Sequence, residues 1–296
     1  MQMRPYQQAA RTAVHREWDE GRNRTLLVLP TGCGKTIVFA KITEDEVRSG
    51  NRVLILAHRG ELLQQAADKL ERTSGLKCAV EKAEQTCLGQ WYRVTVGSVQ
   101  TLMRQKRLAQ FPADYFQTII IDEAHHAISD SYQVILNHFS GAHVLGVTAT
   151  PDRGDKQNLG KVFDSLAYEY TLPQAIHEGY LTPIRALTVP IQIDFTQVGT
   201  TAGDYKPGEI ATALDPYLDQ IAAEMAKHCA DRKTVVFLPL VKTSQKFRDF
   251  LCQHGFRAAE EITELLRGFD QRQEYHGFAV GTVFCHFGSD LIEIGV

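Results

Sequence analysis

Two short stretches carry residue types that can do chemistry together. The first is "LPTGCGKT", Leu29 to Thr36, which follows the apolar run "TLLVL" and opens the helical pattern "KTIVFAKITEDEV". A tight glycine turn between a strand and a helix aims several backbone N–H groups, and the positive end of the helix, at one point, which suits a phosphate. Thr31, Gly32, Cys33 and Gly34 make the turn. The glycines let the main chain approach phosphate oxygens, Lys35 adds a point charge, and the Thr36 hydroxyl can bind Mg²⁺. The generic phosphate-loop pattern asks for glycine where Leu29 stands, and the alternative is a glycine-rich turn with no ligand. Cys33 sits at a helix start, where a thiol pKa can be lowered.

The second stretch is "TIIIDEAHHA". Its apolar run delivers Asp122 and Glu123 to the carboxyl end of a buried strand, where ligands of open α/β sheets sit. One carboxylate can hold the Mg²⁺ hydration shell while its neighbour polarises an attacking water. Alone, an adjacent Asp-Glu is a polar strand end. Downstream of a phosphate loop it becomes the second half of a nucleoside-triphosphate site. His125 and His126 suggest a metal, but adjacent histidines point in different directions and no further ligand cluster accompanies them.

These residues need a scaffold, and the hydrophobic pattern supplies one. Strand candidates "TLLVL", "RVLILA", "YRVTVG", "TIIID" and "HVLGVTA" are short, rich in branched residues and apolar on consecutive positions, as strands buried on both faces should be. Between them "KTIVFAKITEDEV", "GELLQQAADKLERT", "SVQTLMRQKRL" and "SYQVILNHF" read as helices, and Tyr6, Ala9, Ala10, Ala13, Val14 and Trp18 recur at helical spacing in an opening amphipathic helix. This alternation predicts an α/β domain with a parallel sheet over residues 1–172. The Pro- and Gly-bearing segment 173–212 reads as strands joined by loops, and a second α/β rhythm occupies 213–296: a helix in "LDPYLDQIAAEMAKHCADR", a strand in "KTVVFLPL", a helix in "TSQKFRDFLCQHGF" and a weaker strand in "VGTVFCHF".

Composition bounds the rest. The 296 residues are 44% hydrophobic and 23% charged, enough for two ordinary domains. A net charge of −3 gives no global positive field, so any nucleic-acid contact must be local. No apolar stretch approaches the ~20 residues of a membrane span, and the amino-terminal residues do not form a secretory signal. Six cysteines without C-x-x-C spacing read as reduced thiols of an intracellular, cytoplasmic protein.

Taken in order, "LPTGCGKT", "IDEAHHA" and "GVTATP" resemble motifs I, II and III of superfamily 2 helicases, the DEAD/DEAH-box group, whose phosphate loop typically reads P-T-G-x-G-K-T and so accommodates Leu29. "RPYQ" resembles the adenine-reading element, with Gln7 placed to pair with the base edge and Tyr6 or Arg4 to pack on it. "LILAHRGELLQQ" resembles motif Ia, "VGSVQTL" the element that touches the nucleic-acid backbone, and "KTVVFLPLVKTSQKF" motif IV. The nearest likeness is to bacterial and phage DNA helicases and restriction-type translocases carrying D-E-A-H-H.

The resemblance covers residues 3–258. It implies two RecA-like parallel-sheet domains, the second incomplete, that couple ATP hydrolysis to movement on nucleic acid, DNA in preference to RNA, with partner subunits of a restriction or phage replication and repair system a further implication. Lys35 and the loop amides would hold the β- and γ-phosphates, Thr36 and Asp122 the Mg²⁺, and Glu123 the water. Thr148 and Thr150, with His125, would link hydrolysis to the nucleic-acid face. Arg59, Ser98, Gln100 and Thr101 would hold the phosphate backbone. The Q-x-x-G-R-x-x-R element that carries the group's arginine finger does not occur in the sequence. The stretch after residue 258 is accordingly expected to be divergent, deleted or out of frame. The alternative function is an ATP- and nucleic-acid-binding module with little turnover.

Overall fold

The computed structural model describes residues 3–57, 67–68, 70–149, 159–188, 191–196, 198–201, 204–229, 232, 234–261 and 281–286. The chain divides into two compact units, Met1–Ile184 and Arg185–Val296.

The first unit is a sheet of seven strands: β1 (Arg24–Val28), β2 (Val53–Ala57), β3 (Cys78–Glu81), β4 (Val94–Ser98), β5 (Thr118–Asp122), β6 (His143–Thr148) and β7 (Ser165–Glu169). Their spatial order is β3-β4-β2-β5-β6-β1-β7, and every pairing is parallel. Period-two alternation splits each inner strand between two cores. In β2, Val53 and Ile55 face one side with Ile120 of β5, while Leu54 and Leu56 face the other with Ile119 and Ile121. Both faces are covered, which is why these strands read as unbroken apolar runs.

Helix α1 (Pro5–Asp19) covers one face. Pro5 occupies its first turn, and Tyr6, Ala10, Ala13, Val14 and Trp18 form its buried stripe. Helix α2 (Lys35–Arg48) packs beside it through Val38, Phe39 and Ile42, and Arg11 of α1 grips Asp45 of α2 with two hydrogen bonds of 2.6 Å. The "SVQTLMRQKRL" segment, expected as one helix, is two short ones, α3 (Val99–Leu102) and α4 (Gln105–Leu108), broken at Arg104 in extended conformation. Leu102 and Leu108 are both buried. On one continuous helix residues six apart point about 120° away from each other around the axis, so the break is what lets both reach the core. Helix α5 (Asp130–His138) adds Tyr132, Ile135 and Leu136 to the same face, and α6 (Leu172–His177) closes the unit through Ala175.

In the second unit α7 (Pro207–Leu214), α8 (Leu218–Cys229) and α9 (Val241–Gln253) accompany strands β10 (Thr234–Leu238), β11 (Arg257–Glu261) and β12 (Gly281–His286). The core is small: Leu218, Ala222, Leu238, Phe247, Leu251 and Phe256. β12 lies between β10 and β11 and is antiparallel to both. The parallel arrangement expected here therefore holds for β10 and β11, which α9 joins as a crossover, and does not hold for β12. Among the described residues of 173–212 the strands are a two-residue pair, β8 (Thr200–Thr201) with β9 (Asp204–Tyr205). Ile184 and Leu187 of that region are exposed.

One packing contact is tight enough to test. A Cβ on Gly146, in the middle of β6, would stand 2.3 Å from Phe163 Cζ and 2.9 Å from Ala124 Cβ. Gly146→Ala should lower stability by about 1–3 kcal/mol through overpacking, read as a lower urea midpoint; an unchanged midpoint would show that Phe163 yields freely.

Candidate functional site

The site is built at the carboxyl edge of three adjacent strands. β1 lies beside β6 with Val28 opposite Thr148, and β6 lies beside β5 with Val147 opposite Asp122. One further bond, from Leu29 N–H to the Thr148 carbonyl at 3.0 Å, carries the β1–β6 pairing into the glycine turn. The turn at 30–34, the carboxylates after β5 and Thr148 are thereby brought to one edge, although they come from three separate parts of the sequence.

In the turn, Gly32 has φ +87° and Gly34 φ +74°, the left-handed region that favours glycine. Space is short as well: a Cβ on Gly32 would meet Leu181 Cδ2 at 2.9 Å, and one on Gly34 would meet Gln7 Nε2 at 2.6 Å. Gly34 is the N-cap of α2 and offers no side chain to the first turn. Among the described residues the amides of Gly32, Gly34, Lys35 and Thr36 have no backbone acceptor. Four unclaimed N–H groups at a helix start, with Thr31 and Gly32 exposed above them, concentrate hydrogen-bond donors at one place.

Opposite the turn stand the carboxylates. Lys35 Nζ lies 3.8 Å from Glu123 Oε1. Glu123 takes φ +57°, an uncommon conformation for a non-glycine residue, and its N–H is held by Asp122 Oδ1 at 3.1 Å. The strained turn swings the glutamate away from the strand line and toward the lysine. His125 Nδ1 follows at 3.6 Å from Glu123 Oε2. The expectation that the two histidines diverge fails: their ring centroids are 4.2 Å apart, because residues 124–128 wind into a 3₁₀ turn instead of continuing the strand. Among the described residues no group of three His, Cys, Asp or Glu side chains gathers as a metal cage.

Gln7 reaches the turn from α1. It is 2% exposed; its Oε1 accepts from the Arg4 N–H at 2.9 Å and its Nε2 donates to the Cys33 carbonyl at 3.0 Å. The Tyr6 hydroxyl donates to the same carbonyl at 3.0 Å. Arg4 is exposed, with its guanidinium 5.1 Å from the ring centre of Tyr180. Sequence reading missed three residues that support this corner. Tyr170 stacks on Tyr6 at 4.4 Å, Tyr180 meets Tyr6 edge-on at 4.9 Å, and Leu181 fills the space beneath Gly32. Tyr180 and Leu181 belong to the "GYL" triplet after α6 and Tyr170 directly follows β7, and neither place lies in a motif.

Cys33 differs from expectation. It is fully buried against the core, and burial pushes its thiol up, against the smaller lowering effects of Tyr6 and Arg4. Burial likewise holds Cys78 and Cys87 at about 11.

The residues expected on the nucleic-acid face separate. Gln100 is exposed, whereas Ser98 and Thr101 are buried, and Thr101 Oγ1 accepts from the Ala83 N–H at 3.1 Å. Arg59 and Thr150 lie outside the described residues, as does most of "GELLQQAADKLERT".

A seven-stranded parallel sheet with a glycine loop and a carboxylate pair at its carboxyl edge is the design of a RecA-like domain. The helicase domain of Hef from Pyrococcus furiosus has the same fold: TM-score 0.50 at 21% identity, covering 84% of this chain and 53% of that one. The family described as type III restriction enzyme, res subunit, matches residues 1–153, and the chain belongs to it, within the superfamily 2 helicases. Over 227 residues it is 34% identical to the putative ATP-dependent helicase IRC3 of Saccharomyces cerevisiae, covering 72% of this chain and 33% of the relative. It is also 29% identical over 155 residues to the DNA 3'-5' translocase XPB2 of Sulfurisphaera tokodaii, covering 52% and 32%. The chain thus spans about a third of the length of these two relatives.

Thiol chemistry gives a direct check on the corner. Iodoacetamide should modify the exposed Cys252 in the folded protein and leave Cys33 intact until denaturant is added; peptide mass mapping that finds Cys33 labelled first would contradict its burial.

Proposed function

We propose that this chain binds ATP at the 30–36 turn and uses its hydrolysis to move along nucleic acid, DNA in preference to RNA. The observation that carries this reading is the meeting of Lys35 with Glu123 above four unclaimed backbone amides, at the edge where β1, β6 and β5 end together. The residues fit the ligand. The amides and the Lys35 ammonium complement phosphate oxygens, while the Thr36 hydroxyl and Asp122 are hard oxygen donors suited to Mg²⁺. Bound between them, Mg²⁺ would draw charge from the β- and γ-phosphates. Lys35, one-seventh exposed, holds its charge at the floor of the site, and Glu123, half exposed, orients the water that attacks the γ-phosphorus.

Arg4, standing on the Tyr180 ring beside the turn, is placed to meet the base. Gln7 sits one layer below, where it reads the position of the Cys33 carbonyl and has one amide hydrogen left for a base edge. Thr148, backbone-bonded to the root of the turn, and His125, beside Glu123, are the proposed links from the nucleotide to the nucleic-acid face, together with Thr150. Gln100 is the described residue best exposed to hold the strand, with Ser98 and Thr101 shaping the turn that carries it, and Arg59 is a further proposed contact. The preference for DNA is supported by the XPB2 relative, whose name specifies it, and by a family named for restriction enzymes. The same family name supports assembly with partner subunits. A cytoplasmic location is part of this reading, with the five cysteines whose side chains are described all free.

Lys35→Ala should abolish ATP binding measured by calorimetry, and undiminished affinity would remove the turn from its role. Glu123→Gln should bind ATP as tightly as the parent while turnover falls by orders of magnitude. Hydrolysis by the parent chain should rise when single-stranded DNA is added; a rate indifferent to both DNA and RNA would sink the motor reading.

A further inference from the structure

The opposite edge of the first sheet carries a feature the motor reading does not use. Arg52 immediately precedes β2 and Arg93 immediately precedes β4, so both stand at the amino ends of strands whose carboxyl ends lie on the nucleotide side. Five strand residues separate the two edges, roughly 15 Å. Arg52, Arg93, Trp91, Gln90 and Tyr115, with Leu88 and Gly89, line a concavity of about 470 Å³ there. Trp91 is 98% exposed, with both ring faces open, and its neighbour Tyr92 is exposed too.

The groups are held in place. The Arg52 guanidinium lies 4.7 Å from the Tyr115 ring centre and donates to the Tyr115 hydroxyl at 3.0 Å. The Arg93 guanidinium donates to the Gly50 carbonyl. Each of these hydrogen bonds uses one of five N–H donors, and the rest stay available. The loop that bears Trp91 is anchored from beneath by Glu81, which is fully buried, accepts from the Cys87 N–H at 2.9 Å and pairs with Arg107. Arg107 also bonds the Gln85 carbonyl, and the Gln90 N–H bonds Cys87 O at 3.1 Å. An open indole on a braced loop, flanked by two arginines, is a stacking platform with phosphate donors beside it.

We propose that this edge binds single-stranded nucleic acid, one base stacked on Trp91 and the adjoining phosphates held by Arg52 and Arg93. Charge supports it: none of the lining residues is acidic, on a chain whose net charge is −3. A protein partner fits less well, because stable protein interfaces need an apolar centre and this lining has a single aliphatic side chain, Leu88. The site is distinct from the strand contacts proposed near Gln100, and it does not depend on ATP.

The chain has two tryptophans, and the other, Trp18, is buried and stacked on His143 at 4.9 Å. Tryptophan emission therefore reports on Trp91 alone when a ligand reaches the surface. Titration with oligothymidylate of roughly ten nucleotides, within the span one stacking module covers, should quench that emission saturably, less so as salt rises. Trp91→Phe should abolish the change. Arg93→Gln, and separately Arg52→Gln, should weaken the apparent affinity several-fold at low salt, Arg93 being the variant whose loss leaves the Tyr115 stacking intact. Lys35→Ala should leave the quench in place, so failure of the motor reading and failure of this one are read separately. Absence of quenching, quenching unchanged in both arginine variants, or equal quenching by thymidine monophosphate would each overturn the strand site.

Discussion

Everything in the first unit hangs on β1 being paired in parallel with β6 on one side and β7 on the other. Parallel strands deliver their carboxyl ends to a common edge, and in an α/β sheet that edge is where loops can converge without burying unpaired backbone. Because Val28 is level with Thr148 and Val147 with Asp122, the glycine turn begins at the height where the carboxylates end. A slip of one residue in β1 would turn Leu27 and Val28 to the wrong cores and carry the turn away from Glu123. The two hydrophobic clusters thus do more than stabilise: by fixing which face each β1 side chain takes, they set the register and with it the distance between Lys35 and Glu123.

Among the described residues two non-glycine positions take left-handed backbone, Ala83 after β3 and Glu123 after β5. Gly32 and Gly34 take left-handed backbone, and Glu123, which has a Cβ, takes it too. Holding a glutamate there costs on the order of 1–3 kcal/mol, and the surroundings that offset it are the Asp122 cap of its N–H and the 3₁₀ turn wound after it. A glutamate continuing the strand would point along β5, whereas the turned one faces the ammonium of Lys35.

How far sequence alone reads this protein depends on burial. Strands covered on both faces, β1, β2, β4, β5 and β6, announce themselves as apolar runs. The edge strands β3 and β7 do not: β7 has one buried residue in five, Ala167, so "SLAYE" looks like a loop. The phosphate turn was legible because its chemistry is local, a glycine turn fixed between strand and helix. Gln7 was legible as a residue type but not in its position, since only the packing of α1 shows that it lies below the turn. The fate of Cys33 was illegible for the opposite reason: two physical effects compete on a thiol at a helix start, and the burial that decides between them comes from Tyr6 and the core beneath. Tyr170 and Tyr180 belong to the site only because β7 and the segment after α6 fold back along the sheet. The break at Arg104 likewise follows from the need of two leucines, not from any helix-breaking residue.

The double bonding of Gln7 sets which amino acids that position admits. It needs an acceptor that reaches back one turn to the Arg4 N–H and, on the same group, a donor for the Cys33 carbonyl. Glutamate keeps the reach and the acceptor but would set a carboxylate against a carbonyl. Asparagine keeps both kinds of atom and is one methylene short. Leucine fills the volume, leaves the Arg4 N–H without its acceptor and removes one of the two donors to the Cys33 carbonyl. Glutamine alone satisfies all three demands, so a neutral drift at this codon has nowhere to go, even in a lineage where no base ever touched the side chain.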